Sequence, residues 1–201
     1  MPKKFLLFDF GGVIADSFGA SLKIGEKILG TNSGEQRQLF EGNLAKKLTK
    51  NFSPLVADRF LKDYAAEIGN MPIVAGIAKV IMELHWSYSM VIVSSTSKSS
   101  IDKFLIVHEI RQYFKEILAY EDGPSKTEKI NDLLDAENLK PRNCLMITDT
   151  TGDIDEARAS GVNSIAVTWG YHDEALLKKS NPVAIIHKPE DLTSTVKSLL
   201  N

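Results

Sequence analysis

Short apolar runs that lack polar alternation recur along the chain at Phe5–Phe8, Met90–Val93, Ile117–Tyr120, Cys144–Ile147, Ser164–Val167 and Ala184–Ile186. A strand covered on both faces reads this way, because neither set of alternating side chains meets water. From Met71 onward the runs are separated by stretches with helical spacing. One spans about Val74 to Trp86, another carries Ile130, Leu133 and Leu134, and a third ends at Gly161. The alternation predicts an α/β fold with a mainly parallel sheet packed between helices.

The stretch from Phe18 to about Gly69 has a different texture: it lacks any β-branched apolar run. Leu22, Ile24, Ile28 and Leu29 form one amphipathic face, ended by Gly30-Thr31-Asn32-Ser33-Gly34; Leu39, Leu44 and Leu48 supply a second. Ser53 as N-cap with Pro54 at the first helical position starts a third helix, along which Val56, Phe60, Tyr64 and Ile68 recur. A crossover needs only one helix. Residues 18–69 therefore read as a helical subdomain inserted after the first strand, and residues 1–17 and 70–201 as the α/β core. A long first crossover within one domain is the simpler alternative.

Composition adds few constraints. The chain has 201 residues, a formal net charge of −2 and one cysteine, Cys144. The charge gives no bulk electrostatic reason to expect nucleic acid or an anionic membrane as partner. A single cysteine excludes an intrachain disulfide and suits a reducing compartment, so a cytoplasmic location is expected. No apolar run approaches the length of a bilayer span. Cys144 lies inside an apolar strand, where cysteine is usually core.

The candidate chemistry lies where the strands end, since ligands in open α/β sheets bind outside the carboxyl ends. Phe5–Phe8 delivers Asp9 into Phe10-Gly11-Gly12, and the glycines let a ligand approach the backbone closely. Met90–Val93 delivers Ser94 and Ser95. Cys144–Ile147 delivers Thr148-Asp149-Thr150-Thr151-Gly152-Asp153, and Lys126 opens the helix between those two strands. Each has an ordinary explanation: Asp9, Ser94, Ser95, Asp149 and Asp153 all suit helix caps, and most lysines are solvated. Together they describe a hard-oxygen site suited to Mg²⁺ beside a cradle for phosphate.

In these motifs and their order the chain resembles the haloacid dehalogenase superfamily of phosphohydrolases, in its phosphoglycolate-phosphatase-like branch. The motifs are Asp9-Phe10-Gly11-Gly12-Val13-Ile14-Ala15-Asp16-Ser17, Ser94, Lys126 in Gly123-Pro124-Ser125-Lys126-Thr127, and Thr148–Ile154 followed by Val167-Thr168-Trp169-Gly170-Tyr171. The resemblance implies a Rossmann-like three-layer core with a small helical cap after the first strand. It also implies hydrolysis of a small phosphorylated metabolite, with phosphoglycolate as the single best candidate. Asp9 would be the nucleophile and form an aspartyl phosphate. Ser94, Ser95, Lys126 and Gly11 would hold the phosphoryl group. Asp9, the Gly11 carbonyl, Asp149 and Asp153 would hold Mg²⁺, with Asp149 the more direct of the acidic pair. Cap residues would set specificity, and Lys23, Lys27, Arg37, Lys46 and Lys47 either face the cleft or solvent.

One position departs from the resemblance. Two residues after the nucleophile most of these phosphatases carry a second aspartate, which protonates the leaving oxygen and later activates water. Here that residue is Gly11. General acid–base help is worth about 10²–10⁴ in rate, so a slow enzyme is expected. Asp16 is the nearest other carboxylate in the loop, but its place suits the start of the cap helix better. A second reading follows from Gly11, in which the chain keeps the fold as a phosphate- or partner-binding protein without turnover.

Overall fold

The computed structural model describes residues 3–41 and 44–200, except for the side chains at positions 45 and 46. Six strands run in the order β3-β2-β1-β4-β5-β6, and all five pairings are parallel. They are β1 (Phe5–Phe8), β2 (Ser89–Val93), β3 (Glu116–Leu118), β4 (Cys144–Thr148), β5 (Asn163–Val167) and β6 (Ala184–Ile186). Successive residues of β1 serve opposite faces, as a period of two requires. Leu6 and Phe8 join a cluster with Ile81 and Leu84 of α5 (Ile77–Leu84), Phe104 of α6 (Lys98–Val107) and Val196 of α10 (Leu192–Leu200). Phe5 and Leu7 join a second cluster with Ile130 and Leu133 of α7 (Lys126–Ala136) and Ala157 of α8 (Thr151–Ala159). This is the three-layer arrangement expected from uninterrupted apolar strands.

Between β1 and β2 the described residues first form the helices α1 (Phe18–Leu29), α2 (Ser33–Leu39), α3 (Leu44–Asn51) and α4 (Pro54–Ile68). The expected breaks have local causes. Gly30 ends α1 with φ 69°, in the left-handed region that glycine adopts without a Cβ penalty. Asn32 accepts from the N–H groups of Gly34 and Glu35 while Glu35 reaches back to the Asn32 N–H, a complete capping box that starts α2. Ser53 accepts from the N–H of Val56 ahead of Pro54, as its position predicts. Leu39, Leu48, Ala57 and Phe60 are buried together in an apolar cluster of these helices, apart from the two sheet clusters.

The strand order fixes where a ligand can sit. The chain winds from β1 to β2 and β3 on one side, then returns to lay β4, β5 and β6 on the other, so β1 and β4 flank the switch point. Phe8 is in register with both Ile92 and Ile147. Asp9, Ser94 and Asp149 therefore leave three adjacent strands at nearly one level. The observed β3 stops at Leu118, two residues before the expected Tyr120, because Ala119–Asp122 turns back and the N–H of Ala119 donates to the Asp122 carboxylate. Among the described residues no helix is long and apolar enough to cross a membrane.

Phe60 is fully buried in the helical cluster. Phe60→Ala is expected to lower unfolding free energy by about 3–5 kcal/mol, measured by chemical denaturation followed by circular dichroism.

Candidate active site

A cavity of about 320 Å³ lies between the carboxyl ends of the strands and the helices α3 and α4. Asp9, Gly11, Ser94, Ser95, Lys126 and Asp153 all line it. The residues read from the strand ends are therefore brought together, apart from Asp149, which is completely buried and outside the lining.

The centre of the site is an ammonium group held between two carboxylates. Lys126 Nζ is 2.6 Å from Asp9 Oδ1 and 2.6 Å from Asp153 Oδ2. Lys126 is the first residue of α7, at the positive end of the helix dipole, where a cation is disfavoured. Burial also opposes the charge, but the Asp153 and Asp9 carboxylates outweigh it and hold the lysine pKa above its ordinary value. Asp153 sits in the first turn of α8, where an anion is favoured, and also accepts from the Thr148 hydroxyl at 2.7 Å. One lysine does not balance the carboxylates. Burial pushes Asp9 up to about 7, against the opposing pull of Lys126. Asp149 is likewise pushed well above the ordinary carboxylate range, by burial first and then by the nearby Asp9.

Asp149 is locked by its surroundings. Its Oδ2 accepts from the Tyr171 N–H at 2.7 Å, and its Oδ1 has no hydrogen-bond partner among the described residues. A Cβ at Gly12 or at Gly170 would lie 2.1 Å from Oδ2, so both positions must be glycine. Gly12 in addition has φ 83°. The glycines serve to seat the carboxylate of the neighbouring strand, a packing role besides any approach of ligand.

Whether this set fits Mg²⁺ turns on its donors. Among the described residues no three acidic, histidine or cysteine side chains converge around one point, and Lys126 already lies between Asp9 and Asp153. Asp149 Oδ1, however, is a buried carboxylate oxygen without a partner, a group that ordinarily costs several kcal/mol unless a cation or donor meets it. Three buried carboxylates beside one paired ammonium leave negative charge that a hard divalent cation would offset, and all the donors are oxygens. The donor set fits the ion.

Lys129 and Tyr64 were given no place in the site from the sequence, whereas Thr148 and Tyr171 lie within the quoted motifs, Tyr171 as a residue that either lines the cleft or packs. Lys129, one turn after Lys126, is buried and donates to the Ser94 carbonyl at 2.6 Å, which ties the second strand end to α7. Burial and the adjacent Lys126 charge lower its pKa to about 8. Thr148, the last residue of β4, orients Asp153. Tyr64 of α4 and Tyr171 both line the cavity, and their hydroxyls are 3.1 Å apart. A tyrosine at helical spacing carries no sequence signal of its own, whereas the i+3 relation of Lys129 to Lys126 is a signal that could have found it.

Other expected residues fall elsewhere. Asp16 is exposed and outside the cavity lining; Ser17 rather than Asp16 holds the N-cap position of α1, without a capping hydrogen bond from its side chain. Lys23 and Lys27 are exposed, Arg37 stacks over the Phe18 ring at 4.3 Å and Lys47 donates to the Gln38 carbonyl. None of these four lines the cavity, and Lys46 lies outside the described side chains. Lys62 of α4 lines it instead, paired with Asp58 at 2.8 Å. His172 is buried, accepts from the Thr151 N–H through Nδ1 and so presents its Nε2 proton to the Arg37 carbonyl. Cys144 is buried in β4 with its thiol pushed up to about 11, as a core residue.

The comparisons with known proteins agree with this geometry. The family model described as haloacid dehalogenase-like hydrolase matches residues 6–167. A phosphoglycolate phosphatase of Synechococcus elongatus is 25% identical, with 97% of this chain and 98% of that protein covered. The chain spans about half the length of several other curated relatives, among them a pyrophosphatase of Bacillus mycoides, 27% identical over 52% of this chain and 50% of its own. Among solved structures, a haloacid dehalogenase-like family hydrolase of Streptococcus pneumoniae superposes with TM-score 0.80 at 23% identity, covering 96% of this chain and 98% of that one. A Clostridium acetobutylicum structure described as a predicted phosphatase gives 0.85 at 20%, covering 99% and 100%. These two likenesses speak to the fold.

Carboxylates raised by burial stabilise the folded chain only where they can be protonated. Below the ordinary value of 3.8 both states hold the proton. As pH rises from there through about 7 the folded chain must give up a proton the unfolded chain has already lost, and stability falls. Asp149 is raised in the same direction, so Asp149→Asn is expected to raise metal-free stability increasingly as pH rises above the ordinary carboxylate range. The gain should vanish toward pH 4, as read by thermal melts in chelator across that range.

Proposed function

The chain belongs to the family of haloacid dehalogenase-like hydrolases, and on that premise we propose that it is a Mg²⁺-dependent phosphomonoesterase acting on a small phosphorylated metabolite. The single observation that carries this reading is the Asp9–Lys126–Asp153 cluster on the floor of the cavity, at the switch point of the sheet. We read residues 18–69 as the cap over a core of residues 1–17 and 70–201, since α4 and the core line the same cavity.

In this reading Asp9 attacks phosphorus through a carboxylate oxygen and carries the phosphoryl group as an acyl phosphate, which water then cleaves. Lys126 faces the transferring oxygens and offsets their charge, which is where most of the rate in phosphoryl transfer originates. Ser94, which already accepts from the Thr96 N–H at 3.1 Å, presents its hydroxyl beside them, with Ser95 at the exposed rim. Lys129 holds that loop by its carbonyl and adds a second positive charge behind it. Asp9, the Gly11 carbonyl, Asp149 and Asp153 would hold Mg²⁺. When bound, the ion supplies charge neutralisation at the phosphoryl oxygens and at the carboxylates together.

Phosphoglycolate is the substrate this reading puts first, after the Synechococcus relative. Lys62 is the cation among the described lining residues, besides Lys126, that a substrate carboxylate could meet. Purified protein incubated with Mg²⁺ and a panel containing phosphoglycolate, pyrophosphate, sugar phosphates and nucleotides is expected to release phosphate from at least one of them. Asp9→Asn is expected to abolish release, and chelator to suppress it reversibly. Absence of release from every panel member at high protein concentration would overturn the phosphatase reading in favour of binding without turnover.

A further inference from the structure

The position that lacks a side chain at Gly11 is not empty space. A Cβ built there would lie 2.8 Å from the Tyr64 hydroxyl and 3.1 Å from the Ser17 hydroxyl. Tyr64 comes from α4, across the cavity from the nucleophile loop, and its hydroxyl is 3.1 Å from that of Tyr171. The Tyr171 hydroxyl in turn is 3.2 Å from Ser17 Oγ. Tyr64, Tyr171, Gly11 and Asp9 line one cavity, and Tyr64 is buried with its ring stacked parallel to Phe60 at 6.1 Å. The phenol is therefore fixed from behind by the apolar helical cluster and from the side by two hydroxyls, with its oxygen over the backbone of Gly11.

Resting on the phosphatase reading, we infer that the Tyr64 hydroxyl is the hydrogen-bond donor to the ester oxygen that leaves phosphorus, delivered from the helical layer into the room that Gly11 leaves. A hydroxyl can accept from one neighbour while donating to another. Ser17 or Tyr171 can thus donate to the Tyr64 oxygen while its own proton turns toward the cavity. Burial keeps the phenol protonated, with a pKa pushed up to about 12. In the first displacement the bond from an Asp9 oxygen to phosphorus forms and the ester P–O bond breaks. The departing oxygen keeps the electron pair and takes the Tyr64 proton. In the second displacement the attacking water returns a proton to the phenolate oxygen, its oxygen bonds to phosphorus, and Asp9 is released as carboxylate. Gly11 is accordingly matched to Tyr64: a longer side chain at position 11 would displace the phenol.

The test is the dependence of rate on the leaving group. For wild-type protein and Tyr64→Phe, kcat/KM is measured with Mg²⁺ on 2,4-dinitrophenyl phosphate, phenyl phosphate and an alkyl phosphate. The dinitrophenolate departs without proton help, so Tyr64→Phe is expected to leave its rate within about threefold. The alkyl ester is expected to lose about 10²-fold or more. A merely structural role of Tyr64 would lower all three equally, and equal losses would sink the inference while leaving the phosphatase intact. Should Tyr64→Phe fail to fold, Gly11→Ala provides a second route, because its methyl group must push the phenol away; the same graded loss is expected. Wild-type protein that hydrolyses none of the three esters overturns the phosphatase reading and this inference with it.

Discussion

The cluster in which one buried ammonium serves two carboxylates is the constraint from which the rest of the site follows. Lys126 and Asp153 are presented by the first turns of α7 and α8, and Asp9 by the end of β1. Along the chain Lys126 lies 117 residues from Asp9 and 27 from Asp153. Only a fold that brings the amino ends of two helices over the carboxyl end of the central strand can make the three meet. The doubly wound sheet does this, since β1 and β4 part company at the switch point and leave a crevice between them. Desolvation makes the arrangement costly for each group alone, and removing one partner would strand the others as buried charges. The cluster thus holds Asp9 in place while keeping it short of cationic partners, a condition suited to a nucleophile that must meet a dianionic phosphoryl group.

Asp149 shows how local sequence is bent to that purpose. Its carboxylate is hemmed by Gly12 and Gly170, either of which would collide with it if it bore a Cβ. The two glycines lie in different loops and meet only through Asp149. The Tyr171 N–H, one residue beyond Gly170, fixes one carboxylate oxygen and leaves the other unpaired. An orphaned buried carboxylate oxygen beside other carboxylates marks a place where something outside the chain completes the bonding, and a hard cation is the simplest such partner.

The parts of this site that could be read in the sequence are those tied to strand ends. An uninterrupted apolar run predicts a buried strand, and the residue after it must emerge at the carboxyl edge, so Asp9, Ser94 and Asp149 were placed by periodicity alone. Lys126 and Asp153 followed as first-turn residues of the intervening helices. Five of the six strands and the start of α4 at Ser53-Pro54 were legible for the same local reasons, and the sixth, β3, was shortened by a turn that its tyrosine-ended run did not announce. Tyr64 was legible only as one more apolar position on α4. Its spacing is that of a core residue, and the ring behaves as one against Phe60. The hydroxyl does something else, and which hydroxyl meets which loop depends on how α4 lies over the sheet, a tertiary fact that no short pattern contains. The cationic residues of the helical stretch were open between cleft and solvent: Lys23 and Lys27 face solvent, while aromatic stacking and a helix-end carbonyl engage Arg37 and Lys47.

Gly11 carries a general lesson about reading a missing functional group. From the sequence alone, a glycine where an aspartate is expected looks like a loss. In three dimensions the volume beside that glycine is already occupied by two hydroxyls, that of Tyr64 from a helix outside the nucleophile motif and that of Ser17 from the end of the motif itself. An aspartate could enter only if the Tyr64 and Ser17 hydroxyls gave way, and α4, which carries Tyr64, is held through Phe60 and Ala57 to the helical cluster and through its contacts with α1. The glycine and the tyrosine are therefore one structural unit: the side chain absent from the core loop and the side chain supplied by the helical layer fit a single space. Any chemistry at the leaving oxygen then depends on the helices being closed over the sheet, so that substrate capture and departure of the leaving group become coupled through one phenol.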